Sequence, residues 1–397
     1  MDISILKLIL LAGALQGFVL ALLLATRQGN QPANRLLAGL LILLSFHLVL
    51  VGFDERAFMM KYPYLSHVSW VLPALYGPLV LLFLRRMTHL APSFSWWELL
   101  YFLPFLVVFF LELPYFLASP EAKRAYLDDY ARSVEDDFGL VNQLVNFIHV
   151  VFFGLCILLY RKHLRRIRDF YSDLSKVRMD WMGHFLYISF GIVLFSILVF
   201  YARKFHWPFF GAFYPWHFLG VVAIIYWMAY RALAQPELFS AHHPAPEKED
   251  APLLVSRPYT AVLPDEGEAQ PSQALSPAAR QALAQQLTAL MEQGKRFLNS
   301  DLTLQDLTDE LQTNRQYVSE TLNSHLGKNF YDFVNDYRIA EFQRLCQDPA
   351  CRHLTILALA YDSGFNSKAT FNAVFKKKTG LTPSAYLRQV KPEWEEE

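Results

Sequence analysis

Charge is what this sequence has least of. Of its 397 residues only 18% are Asp, Glu, Lys or Arg, against about 25% in an ordinary soluble domain, while 54% are hydrophobic. That deficit excludes a single compact water-soluble enzyme. Cysteine is also scarce. Cys156, Cys346 and Cys351 offer neither a disulfide framework nor the paired spacing of a zinc site, which suits a domain in a reducing cytoplasm. No nucleophile elbow, phosphate loop, metal-ligand spacing or autophosphorylation motif is present, so no enzyme, sensor kinase, cofactor or metal is expected. The deficit is uneven as well. Almost all long apolar runs precede Gln235, whereas 236–397 read as a linker and a polar helical domain, and 36 basic residues balance 36 acidic ones.

A helix crossing a roughly 30 Å hydrocarbon core needs about 20 mostly apolar residues. Seven candidates fit, near Ile3–Ala25, Leu36–Phe53, Val68–Leu84, Leu99–Leu117, Val141–Tyr160, Phe185–Tyr201 and Phe213–Tyr230. No small-residue cleavage site closes the first, so it reads as a retained helix and not a signal peptide. Loops after the first, third and fifth spans hold eleven Lys and Arg, against seven in the opposite loops, and Arg161–Arg178 supplies most of the bias. The N-terminus is therefore expected outside and the C-terminus in the cytoplasm. The plain account of the basic loop is topology and contact with anionic lipid. The acidic stretch Glu121–Asp137 can face a cationic ligand, but a solvated acidic loop is the plainer account.

Ionisable groups inside spans cost several kcal/mol unless paired or hydrated, so they mark candidate sensing positions. Here these are Glu112 in the fourth span and His47, His149 and His217 in the second, fifth and seventh. Three histidines on separate helices can ligate a metal, but hydrogen bonding between helices is the plainer role. Pro73, Gly77 and Pro78 predict a kink or unwound turn in the third span. From 236 to 276 the chain is rich in Pro, Ala, Glu and Gln without apolar periodicity. That composition reads as a tether with a root-mean-square span of roughly 35 Å.

After Pro277 apolar residues recur every three or four positions, the helical signature, and no alternating strand is evident. Leu283, Leu287 and Leu290 mark a first helix. Thr303 caps the next, whose buried stripe is Leu304, Leu307 and Leu311; after a break at Gln312–Asn314, another helix turns Val318, Leu322 and Leu326 inward until Gly327 ends it. Two short helices so joined form a helix-turn-helix, here over about 303–327. The pattern occurs twice. Thr355, Ile356 and Leu359 repeat Thr303, Leu304 and Leu307, and Phe371, Phe375 and Gly380 repeat Val318, Leu322 and Gly327, defining a second unit over about 355–380. A long helix from Phe330 to Cys346 separates them as a rigid spacer.

From Ser363 to Pro392 there is no acidic residue, while Lys368, Lys376, Lys377, Lys378 and Arg388 are all basic, so the second unit offers phosphate contacts. In the first unit Arg315 and Lys328 are the nearby cations and acidic residues crowd the leading helix. The stretches Leu304–Leu307, Tyr317–Leu322, Tyr337–Ile339, Gly364–Ser367, Thr370–Lys376 and Gly380–Tyr386 together resemble the AraC/XylS-type bacterial transcription regulators. The resemblance covers under a quarter of the chain, about Leu302 to Arg388. It implies a seven-helix domain over about 277–391, followed by an acidic tail at 392–397, with two recognition helices that enter adjacent major-groove segments. The base-facing residues it implies are Gln316, Ser319, Glu320 and Asn323 in the first unit and Lys368, Ala369, Asn372 and Ala373 in the second. Glu320 and Ala373 depart from the family pattern, where cations are frequent. Glu320 either accepts from a cytosine amino group or weakens binding by this half.

The expected fold is therefore all-α: a seven-helix membrane bundle over 1–235, a linker, and a C-terminal helical domain with two helix-turn-helix units. The expected function is a one-component transcriptional regulator in a bacterial inner membrane, whose bundle senses an unidentified signal. Its expected partners are promoter DNA, membrane lipid, a second copy of the chain and RNA polymerase. The alternative is a membrane receptor or transporter with a cytosolic protein-interaction domain.

Overall fold

The computed structural model describes residues 4–26, 31–88, 94–174, 179–234 and 275–390. Nearly all of the expected linker, the acidic tail, Arg27, Lys176 and Arg178 lie outside these residues. Among the described residues the secondary structure is helical, apart from one isolated antiparallel bridge between Tyr171 and Thr303. The chain divides into two compact units: Met1–Tyr160 with Asp180–Glu266, and Arg161–Met179 with Gly267–Glu397.

In the first unit six helices are long and apolar enough to cross a membrane, or up to seven if a bent pair counts as one span. The six are Ile5–Thr26, Pro32–Gly52, Pro63–Met87, Trp96–Leu117, Glu135–Arg168 and Asp180–Lys204. The seventh expected span is the bent pair, Pro208–Trp216 and Leu219–Met228, which meet at 44°. Pro208 and Pro215 sit in the short helical turns of its first half, where a missing N–H is tolerated only at a helix start. The third span also breaks where the sequence predicts it, with a tight 3-10 turn at Leu72–Leu75 between Val68–Val71 and Tyr76–Met87. Small residues bring the helices close. A methyl group built on Gly17 would stand 2.0 Å from the Ser45 hydroxyl, and one on Gly13 would stand 2.8 Å from Val222, the close approach that small residues permit inside a bilayer.

The fifth helix outruns its apolar stretch. It remains helical to Arg168, eight residues past the expected end at Tyr160, because Arg and Lys are good helix formers beyond the apolar run and because cations favour a helix C-terminus.

Among the described residues from 275 to 390 the second unit contains seven α-helices: α1 (Pro277–Glu292), α2 (Leu304–Glu310), α3 (Arg315–Glu320), α4 (Phe330–Gln347), α5 (Ile356–Asp362), α6 (Lys368–Thr379) and α7 (Pro383–Val390). Each opens on a capping geometry that the sequence supports. Thr303 and Asp306 form a reciprocal capping box at α2, Asn314 accepts from Gln316 N–H at 2.8 Å at α3, and Ser367 accepts from Thr370 N–H at 3.1 Å at α6. Beyond α3 the helix widens into a π-helical turn, Thr321–His325, before Gly327 turns the chain at φ 65°.

Two cores flank α4. One joins Leu283, Leu287, Leu304, Leu307, Val318 and Leu322 to Phe333 and Val334; the other joins Phe342 and Ile339 to Leu359, Phe365, Phe371 and Phe375. Helix α4 therefore contributes its N-terminal half to one helix-turn-helix unit and its C-terminal half to the other, which makes it a spacer held at both ends. Between the cores lies Arg338, fully buried, where an apolar residue would be the ordinary choice. Its Nε donates to Phe297 O at 2.8 Å and its Nη2 to Asn299 O at 2.8 Å. Burial pushes its pKa down to about 10, so it stays charged at neutral pH among carbonyl oxygens. Gly364, at φ 90°, passes so near this loop that a Cβ would stand 2.3 Å from Phe297 O.

Candidate nucleic-acid interface and membrane cavity

The two recognition helices differ in what they expose. On α6 the buried face is Phe371, Val374 and Phe375, and the opposite face presents Lys368, Ala369, Asn372, Ala373, Lys376 and Lys377 to solvent. These include all four base-facing positions expected for this unit. Lys368 and Lys376 have no ion-pair partner among the described residues, and the spacing of one, four and eight places them along a single strip. The other cations are engaged: Lys377 meets Asp332 at 3.0 Å, Lys328 meets Asp336 at 2.8 Å, and Lys378 also pairs with Asp336. Burial alone would raise the Asp332 carboxyl, but the bond and charge of Lys377 hold it below its ordinary value. Both counter-ions come from α4, a role the sequence spacing did not reveal. Arg388 is exposed on α7.

On α3 the first unit is more occupied. Gln316 is exposed and Ser319 half-buried; Asn323 lies beyond α3 in the π-helical turn, its amide donating to the Ser319 hydroxyl at 3.4 Å. Glu320 forms an ion pair with Arg280 of α1, so the acidic departure from the family pattern has a partner inside the domain. The Arg315 guanidinium donates from Nε to Gln305 Oε1 at 2.9 Å and lies 5.8 Å from the Phe170 ring centre. The arrangement places one open cationic strip beside one largely neutral, internally tied helix.

In the first unit, three of the four candidate sensing groups share one cavity of about 520 Å³: His47, His149 and His217 all line it. His47 Nδ1 is 2.7 Å from the Tyr76 hydroxyl, and His149 Nε2 donates to Pro73 O at 2.9 Å. That carbonyl belongs to the tight turn in the third span, so the predicted break presents polar backbone to the cavity wall. No group of three or more His, Cys, Asp or Glu side chains that could hold a metal occurs among the described residues. Asn146 Nδ2 and Ser189 Oγ also line the cavity and are buried without a hydrogen-bond partner, whereas buried polar groups are almost always paired.

Glu112 is not among the residues lining this cavity. It pairs with His67, Nδ1 to Oε2 at 2.8 Å, and the imidazole is stacked between Trp70 and Tyr115 at 3.8 Å from each. His67 sits at the edge of the third span with φ 63°, and nothing in the local sequence marks it as a partner of a residue 45 positions away.

Comparison with known proteins concerns the second unit. A family model described as a helix-turn-helix domain matches residues 307–389. A transcriptional regulatory protein, HptR, of Staphylococcus aureus is 28% identical over 102 residues, covering 26% of this chain and 39% of that protein. The TCP pilus virulence regulatory protein of Vibrio cholerae is 34% identical over 101 residues, covering 24% of this chain and 35% of the relative. The chain thus spans less than two-fifths of the length of these curated relatives. No solved structure gives a significant match.

Proposed function

From a C-terminal segment that is an AraC-type helix-turn-helix domain, we propose that the whole chain is a membrane-embedded one-component transcriptional regulator. The observation that carries this reading is the α6 strip. Lys368, Asn372 and Lys376 stand on one exposed face, without a carboxylate, on a helix whose other side is locked into an aromatic core. A protein-interaction domain would be better served by an apolar face there, and this one offers only Ala369 and Ala373 between polar groups.

The membrane unit supplies the sensor. Its cavity has an apolar wall, three histidines and two unpartnered polar groups, Asn146 and Ser189, the composition of a small-molecule site. A ligand with an apolar body and a hydrogen-bonding group would satisfy both orphans. The bias of Lys and Arg favours a bacterial inner membrane with the N-terminus outside and the C-terminal domain in the cytoplasm, where RNA polymerase is available. The basic stretch Arg161–Arg168 is suited to anionic lipid. Because the first recognition helix is nearly neutral, a second copy of the chain would strengthen binding, and crosslinking in membranes that finds only monomer would refute that element.

The direct test uses the full chain in lipid nanodiscs and a random pool of DNA duplexes. Selection should enrich a motif spanning two neighbouring major-groove segments, with affinity falling steeply as salt rises. Failure to enrich any motif at low salt refutes the regulator reading.

A further inference from the structure

The segment Asp169–Asp173, which follows the fifth helix, makes one isolated antiparallel bridge within the second unit. Around the Tyr171–Thr303 bridge, Ser172 N–H donates to Leu302 O at 3.3 Å and Leu304 N–H donates to Phe170 O at 2.9 Å. The Ser172 hydroxyl donates to Leu302 O at 2.6 Å, and Ser172 O accepts from Asn335 Nδ2 at 3.0 Å and from Arg338 Nη1 at 3.2 Å. Arg338 Nη2 completes the set, donating to Ser172 Oγ at 3.0 Å. Ser172 is fully buried and Asp173 is 6% exposed. A loop residue that lies 130 positions from Leu302 and 166 from Arg338 is seated as firmly as the core.

The residues flanking this seat reach both recognition elements. Burial raises the Asp169 carboxyl, an effect that the Asn323 side chain partly offsets, and the Phe170 ring faces the Arg315 guanidinium. On the other side the Thr370 hydroxyl of α6 donates to Asp173 Oδ1 at 3.4 Å. Arg315 and Asn323 are expected DNA contacts, and Thr370 lies two residues after Lys368. The Phe170 ring thus covers the one arginine of the first recognition helix, with the Asp169 carboxyl beside it in sequence, whereas Asp173 is buried against a side of α6 away from its exposed lysine strip. The basic residues Arg161–Arg168 precede this segment and are not part of it.

We propose that Asp169–Asp173 is an intrachain docking segment that occupies the DNA-reading side of the first helix-turn-helix unit, so that duplex DNA and the segment compete for that half of the reader. This inference rests on the regulator reading. In sequence the segment lies between the fifth and sixth spans, so it is covalently tied to the candidate sensor. Being part of the same chain, it acts at an effective concentration on the order of millimolar, which suffices to suppress a reader of ordinary affinity until it is withdrawn.

The bridge offers its own probe. Tyr171 and Thr303 are the non-hydrogen-bonded pair of an antiparallel bridge, a geometry with Cα atoms about 4.5 Å apart, inside the range of about 4.4–6.8 Å that a disulfide spans. The double variant Tyr171→Cys with Thr303→Cys, in a Cys351→Ser background, is prepared as the full chain in nanodiscs, with both single variants as controls. Oxidation should form the bond, read as protection from thiol alkylation, and lower affinity about tenfold or more for duplexes selected by the reduced protein; reductant should restore it. Binding by the reduced form establishes that the reader is folded. Three results overturn the proposal: no bond, a bond with unchanged affinity, or a bond that tightens binding, the last meaning that the loop extends the DNA interface. If the reduced form and the parent chain both fail to enrich any duplex, the regulator reading itself fails. As an independent arm, Ser172→Pro removes the donor N–H and the hydroxyl, and should raise affinity several-fold; unchanged or lower affinity contradicts competition.

Discussion

Replacing Arg338 with Met keeps much of the side-chain volume but removes every donor of the guanidinium. Five hydrogen bonds disappear: to Phe297 O at 2.8 Å, Asn299 O at 2.8 Å, Ser300 O at 3.4 Å, Ser172 O at 3.2 Å and Ser172 Oγ at 3.0 Å. The carbonyls of Phe297 and Ser172 belong to buried residues, and an orphaned buried acceptor costs about 1–3 kcal/mol. Part of that cost is offset, since Met no longer holds a charge against the burial that pushes the Arg338 pKa down to about 10. The balance is a loss of about 3 kcal/mol, or roughly a hundredfold in the opening equilibrium. Hydrogen–deuterium exchange on the full chain reads this locally. Protection of the Leu302 and Leu304 amides and of the middle of α4 should fall by about that factor, while the membrane helices keep theirs. A fall of less than about tenfold at these amides would mean that the buried arginine is replaceable packing and that its carbonyl partners find water.

Three further perturbations separate roles that look alike. Lys368→Ala should change the duplex motif that is selected, whereas Lys377→Ala should weaken all duplexes similarly and flatten the salt dependence by about 0.9 in log–log slope, reduced by the cost of freeing Lys377 from Asp332; identical behaviour of the two variants removes the distinction. Gly364→Ala should cost several kcal/mol, on the order of 3, because a positive φ and a 2.3 Å approach to Phe297 O coincide there, while Gly380→Ala, at φ 76° with open space around it, should cost only about 1 kcal/mol. Equal shifts in chemical unfolding of the domain would refute the steric part of the argument. In the membrane unit, Gly77→Ala puts a methyl group 2.4 Å from the Cβ of Phe152, an atom that cannot rotate away, so thermal inactivation in detergent should occur at a visibly lower temperature; an unchanged transition contradicts the tight packing of the third and fifth spans.

Features governed by neighbours in sequence were legible before any coordinates. Apolar runs located the candidate spans, and Thr303, with Thr355 as its repeat, located two helix starts, because a cap acts on N–H groups only two or three residues away; the caps Asn314 and Ser367 were resolved by the structure. The exposed positions Lys368, Ala369, Asn372 and Ala373 of α6 were those that the family resemblance implied. What failed to show was set by distant partners. Arg338 sits in the middle of a polar-looking helix, yet it is buried because carbonyls from the Phe297–Ser300 loop and from Ser172 converge on it. Asp332 and Asp336 looked like ordinary surface acids but balance Lys377 and Lys378. His67 and Glu112 meet across 45 residues. The fifth helix ended late for a different reason: hydropathy reports where lipid stops, and helical backbone continues wherever side chains favour it.

The inequality of the two recognition elements has a consequence for the nucleic acid. One begins as α3, carries Glu320 tied to Arg280 and finishes in a π-helical turn; the other is the regular, lysine-bearing α6, and α4 fixes their order. If duplex DNA is the partner, one copy of such a reader cannot be turned end for end on its site, because each half would then face bases suited to the other. The site therefore has a direction, like an arrow drawn on the double helix. On the proposed regulator reading, that arrow also decides which side of the bound segment leads toward the start of transcription and which trails behind.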